Sequence, residues 1–126
     1  MLLQGLCVGI GGFVGAIARF SVALWLRPRG GAFPVGTLTV NVLGSLALGF
    51  LATYFAHRET DAAHVRLMLT VGFMGSFTTF STFSHESVRL WNEGRLSLLA
   101  ANIVLNVGVC IVAAAVGAGA ARMWGR

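Results

Sequence analysis

Four stretches of this chain are apolar enough and long enough to cross a bilayer: residues 2–26, 35–56, 65–90 and 96–121. A hydrocarbon core about 30 Å thick takes about 20 residues of helix to span. Backbone polar groups in lipid must be satisfied within the segment, and runs of this length do so as helices rather than as barrel strands. The predicted architecture is an all-α membrane protein, with residues 1–126 forming a single domain of four transmembrane helices. The connectors, 27–34, 57–64 and 91–95, are short and polar. Pro28, Pro34 and the Gly30–Gly31 pair are turn signals between the first two runs.

Composition excludes the main alternatives. Only 10% of the residues are charged, against roughly 25% in a soluble domain, so a water-facing surface cannot be assembled. The net charge of +5 comes from nine arginines and four acids. These arginines sit singly at the edges of apolar runs, which suits lipid phosphates and not a nucleic-acid partner. Cys7 and Cys110 have no CxxC or histidine company, so neither a disulfide framework nor a zinc site is expected. The N-terminal run lacks the charged start of a secretory signal and reads as a retained span. Glycines crowd the first two spans (Gly5, Gly9, Gly11, Gly12, Gly15, Gly44, Gly49). Small residues at such spacing let membrane helices approach closely.

The arginines also bear on orientation. With four spans, Arg58, Arg66, Arg122 and Arg126 share one side, and Arg27, Arg29, Arg89 and Arg95 share the other. Four against four leaves the positive-inside rule without a bias. A chain of this kind is expected to insert in both directions and to pair with an opposite-facing copy of itself.

The chemistry concentrates in the third span, where Ser76, Thr78, Thr79, Ser81, Thr82 and Ser84 put six hydroxyls within nine positions. With Gly72 and Gly75 beside them, this is a weak helical segment. It predicts either a helix broken near its middle, with carbonyls free to hold a cation as in many transporters, or a polar patch that bonds neighbouring helices. Phe80 and Phe83 share a helix face. They either pack in the core or offer positive ring edges to an anion. Asn41 lies in the second span, and Asn102, Asn106 and Cys110 form a stripe at four-residue spacing in the fourth. Buried amides need partners, and the regular stripe favours a donor-lined ion path over simple interhelical bonding. Arg19 and Glu86 are the charges deepest in apolar sequence, which makes them functional candidates.

Three stretches, Gly11-Gly12-Phe-Val-Gly15-Ala-Ile-Ala-Arg19, Gly36-Thr37-Leu-Thr-Val-Asn41-Val-Leu-Gly44 and Gly72-Phe-Met-Gly75-Ser-Phe-Thr78-Thr79-Phe80-Ser81-Thr82-Phe83-Ser84, resemble the Fluc (CrcB-type) family of small fluoride channels. The resemblance extends over essentially the whole chain. It implies an antiparallel, dual-topology homodimer in the plasma membrane (the inner membrane of bacteria), exporting fluoride passively and giving fluoride resistance. It implies a fluoride pore lined by Asn41, Phe80, Phe83, Ser81, Thr82, Asn102, Asn106 and Cys110. The thiol of Cys110 is a departure, since hydroxyls often fill such positions. It further implies a central structural Na⁺ held by the carbonyls of Gly75 and Thr78, a vestibule acid at Glu86 and a first-helix arginine at Arg19.

A small multidrug-resistance type of proton-coupled exporter is also four-spanned and dual in topology. It depends on a glutamate in its first span, where this chain has Gln4 and Arg19 but no acid. A packing subunit of a larger complex would explain the glycines but not the third-span hydroxyls. No nucleophile–base pair or metal set suggests an enzyme. The balanced arginines generate a test. Two lysines added near Glu59 and Asp61 should force one orientation and lower activity, and an oppositely biased partner should restore it. Full activity from a uniformly oriented population would rule out antiparallel pairing.

Overall fold

The computed structural model describes residues 1–27, 31–56 and 63–124. Among them regular structure is helical throughout, with no strand. The elements are α1 (Leu2–Trp25), α2 (Val35–Ala56), α3 (residues 63–77), α4 (Phe80–Asn92) and α5 (Leu96–Trp124). α1, α2 and α5 have 24, 22 and 29 residues and mean hydropathies of 1.8, 1.7 and 2.3, enough for each to cross a membrane. The third apolar run is divided between α3 and α4, so neither piece has that length alone. Arg29, Arg58, Glu59, Asp61 and Arg126, which enter the charge argument, lie outside the described residues.

The connector between α4 and α5 is tighter than its sequence suggests. α4 runs through Asn92, beyond the apolar boundary, and the chain reverses at Gly94, whose φ is +69°. That left-handed conformation suits glycine at a helix C-terminus. The N–H groups of Glu93, Gly94 and Arg95 close back onto the carbonyls of Arg89, Trp91 and Leu90, so the helix end is satisfied. Two segments, Leu67–Phe73 in α3 and Leu105–Val109 in α5, are wound with the wider i→i+5 turn, a feature often found at functional sites.

Two glycine seams set the packing. A Cβ at Gly11 or Gly15 would collide with the carbonyls of Met68 and Phe73, so α1 lies backbone to backbone on α3. A Cβ at Gly49 or Gly117 would collide with the carbonyls of Ala114 and Leu46, which fixes α2 against α5 in the same way. Close approach is what dispersion requires when no hydrophobic gain is available between helices in lipid. The small core holds Val40, Met74, Phe77, Phe83 and Leu90. Most large apolar side chains, among them Phe13, Ile17, Phe20, Ile111 and Val116, point outward. Such a surface belongs in hydrocarbon, and the protein is a multi-pass membrane protein.

Candidate functional site

The site begins where α3 stops. Thr78 (φ −84°, ψ 159°) and Thr79 (φ −153°, ψ 113°) are extended, and helix resumes at Phe80. Local chemistry holds both ends. Thr78 donates both its N–H and its Oγ1 hydroxyl to the carbonyl of Met74, at 3.1 and 3.0 Å. The Oγ1 of Thr79 accepts the N–H of Thr82 at 3.2 Å and so caps α4, the usual N-terminal role of a threonine. Asn41 on α2 grips the gap from across the interface. Its Oδ1 accepts the Thr79 N–H at 2.8 Å, while its Nδ2 donates to the Thr79 carbonyl at 3.1 Å.

This clasp has a consequence for two carbonyls. In an unbroken helix the Thr79 N–H would close on Gly75 O, and the Thr82 N–H on Thr78 O. Side chains take both donors instead, which releases the carbonyls of Gly75 and Thr78 from those partners. A Cβ built at Gly75 meets nothing within 4 Å, so this backbone stands on an open face of the chain.

Beside the break lies a groove of about 230 Å³ whose lining includes Asn41, Thr79, Phe80, Phe83, Asn106 and Cys110, and no charged side chain. The rings of Phe80 and Phe83 are 5.3 Å apart between centroids and tilted by 55°. They differ sharply in exposure: Phe83 is 7% exposed and Phe80 is 76% exposed. Thr79 Oγ1 lies 3.3 Å from Ser81 Oγ and donates to Thr82 Oγ1 at 2.9 Å. Ser81 and Thr82 are exposed.

On α5, Asn102 is fully buried and Asn106 nearly so. The Nδ2 of Asn41 donates to Asn106 Oδ1 at 2.9 Å, and Asn106 Nδ2 donates to the carbonyl and the Oδ1 of Asn102 at 3.1 and 2.9 Å. Asn102 Nδ2 reaches Ser87 Oγ at 3.0 Å. The stripe therefore divides, with Asn106 and Cys110 lining the groove and Asn102 lying behind it.

A second cavity, of about 470 Å³, opens at the other end of α4. Its lining includes Arg27, Arg89, Arg95, Glu93, Glu86 and Thr37. Glu93 pairs with Arg89 at 3.8 Å and with Arg95 at 3.2 Å, in exposed bridges of small energetic weight. Thr37 donates to Glu86 Oε1 at 2.9 Å, while Glu86 Oε2 is buried without a partner. Thr37 and Asn41 are one helical turn apart, about 6 Å along the axis of α2. That helix thus links the charged cavity to the neutral groove. Arg19, half-buried on α1, lines neither cavity. Thr37 and Arg89 escaped the sequence reading as site residues. The one-turn spacing of Thr37 from Asn41 was the available signal.

Residues 6–118 match the family described as CrcB-like protein, Camphor Resistance (CrcB). The chain belongs to the CrcB family. It is 49% identical over 113 residues to the fluoride-specific ion channel FluC of Sulfurovum sp. (strain NBC37-1), covering 89% of this chain and 88% of that one. It is 47% identical over 114 residues to the FluC of Idiomarina loihiensis, covering 90% and 88%. A FluC of Clostridium perfringens is 39% identical over 123 residues, covering 97% and 96%. Within this CrcB chain, the groove geometry generates a further test. Asn41→Ala deletes both bonds of the clasp and the bond to Asn106, and leaves Thr79 N–H and C=O unpaired at a buried position. It should lower unfolding stability in detergent by about 1–3 kcal/mol. A stability unchanged from wild type would show that the break does not depend on Asn41.

Proposed function

We propose that this chain is the subunit of a fluoride-selective channel, through which F⁻ leaves the cell passively and which gives fluoride resistance. The observation that carries the reading is the groove at the helix break, lined by Phe80, Phe83, Thr78, Thr79, Asn41 and Asn106 and by no charged side chain. The relatives' names, fluoride-specific ion channel, agree with it. Fluoride is small and strongly hydrated, so its water must be replaced by close-set donors. Phenyl edges and hydroxyls do this, the amides hold them in place, and no charged side chain holds the ion too tightly; conduction needs binding that can be reversed. Fluoride crosses membranes as neutral HF in acid and ionises inside, where it is trapped. An open anion path lets it return down its electrical gradient.

In this reading the chain crosses the membrane four times, its third span being α3 and α4 joined through the break. Two copies pair antiparallel, as the balanced arginines suggest. Phe80, largely exposed on one copy, then meets the partner, and the pathway runs along the interface. Phe83, Asn41, Ser81, Thr82, Asn106 and Cys110 complete its inner part, with Asn102 supporting it from behind. The cavity at Arg27, Arg89 and Arg95 gathers anions at the mouth, with Glu86 and Thr37 at its inner end and Arg19 as a structural charge on α1.

The carbonyls of Gly75 and Thr78 fit a hard cation. They are oxygen donors released from helical partners, and they lie beside a glycine face that a second copy can reach. These two residues would hold the central structural Na⁺, which supplies fixed positive charge at the breaks. The exporter alternative has no support here, because α1 contains no acid.

The test is fluoride efflux per folded protein from liposomes, with thermal stability measured on the same samples. Phe80→Ile and Phe83→Ile keep apolar bulk and lose the ring edge. Both should reduce flux sharply, and the buried Phe83→Ile should cost about 1 kcal/mol of stability for a shape change in the core. Normal flux in stable variants would return both rings to packing and remove the groove from the pathway.

A further inference from the structure

Taken in donor order, the hydrogen bonds around α5 form a single series. The Thr79 N–H donates to Asn41 Oδ1 at 2.8 Å. Asn41 Nδ2 donates to Asn106 Oδ1 at 2.9 Å, and Asn106 Nδ2 donates to Asn102 Oδ1 at 2.9 Å. Asn102 Nδ2 donates to Ser87 Oγ at 3.0 Å, and the Ser87 hydroxyl donates to the carbonyl of Phe83 at 2.8 Å. The series leaves the chain at the break, passes through α2 and α5, and returns to α4 one turn beyond the capped end.

We propose that Ser87, Asn102 and Asn106 are positioning residues: they form a one-way hydrogen-bond relay that locks the break at Thr79 to the depth of Phe83. The proposal rests on the reading of Phe83 as a pathway ring.

Three observations support a holding role over that of free donors to an ion. Both N–H groups of the Asn41 amide are engaged, one on Thr79 O and one on Asn106 Oδ1. Asn106 places its Nδ2 on two oxygens of Asn102. Asn102 is 0% exposed, so an ion in the groove cannot touch it. Every bond also points the same way, so each amide polarises the next, and a low-dielectric interior strengthens the set. Ser87 is the link that sequence inspection passes over, because a helical serine bonding back one turn is ordinary. Here its oxygen also accepts from α5 and so ties that helix to the backbone of Phe83.

Ser87→Ala removes the terminal acceptor and donor while leaving the groove lining intact, and Ser87→Thr keeps the hydroxyl. Two readouts are taken on the full-length protein: fluoride efflux per folded protein, and the NMR resonances of the Thr79 amide and the Asn41, Asn102 and Asn106 side-chain amides. With Ser87→Ala, flux should fall about tenfold, a loss of ~1.4 kcal/mol, and the amide resonances should shift as far away as Asn41 and Thr79. Ser87→Thr should restore both. Should Ser87→Ala fail to fold, Ser87→Cys, with a weakly bonding thiol of similar size, is read in its place. Unmoved Asn41 and Thr79 resonances would overturn the relay, as would shifted resonances with wild-type flux while Phe83→Ile remains impaired. Normal flux in Phe83→Ile as well would instead point to failure of the pathway reading.

Discussion

The structure depends on the two-point hydrogen bond between the Asn41 amide and the backbone of Thr79. A membrane helix strongly resists interruption, because each backbone group freed from it must find another partner away from water. Asn41 supplies a donor and an acceptor at once, imitating the peptide group that the broken helix lacks. Thr79 then caps the second half, and Thr78 seals the first. Once the break is held, the carbonyls of Gly75 and Thr78 are released from their helical partners, and the ring of Phe80 is left largely exposed.

The distribution of charge follows a related logic. The arginines and acids that line a cavity are confined to one end of α4, where Glu93 bridges Arg89 and Arg95. The groove one turn deeper has amides, hydroxyls and rings but no charge. A charged side chain lining the groove would be costly to bury and slow to release an anion. Neutral donors avoid both problems, provided that they are held still. Glycine seams between α1 and α3 and between α2 and α5 supply that rigidity by bringing backbones into contact.

Much of this was legible in the sequence, for identifiable reasons. Hydrophobic run length alone marks α1, α2 and α5, because lipid admits few alternatives to a helix. The break was foreshadowed by Gly75, Ser76, Thr78 and Thr79, whose local preferences are weak for helix. The opposite fates of Phe80 and Phe83 were not legible, since two residues on one helix face differ only through what packs above them. Nor was the engagement of Asn102 and Asn106 with each other and with Ser87. Spacing by four shows a stripe but not whether its donors are free or spent. The wide turn at Leu105–Val109 and the Thr37–Glu86 bond also arise from tertiary packing, beyond the reach of periodicity.

The central claim is that a neutral, rigid groove at a clasped helix break passes an anion by replacing its hydration with fixed donors. Efflux of fluoride and of chloride from liposomes holding the purified wild-type protein tests it most directly. The account predicts rapid fluoride efflux, with chloride remaining at the level of protein-free vesicles. Comparable efflux of the two anions would contradict it.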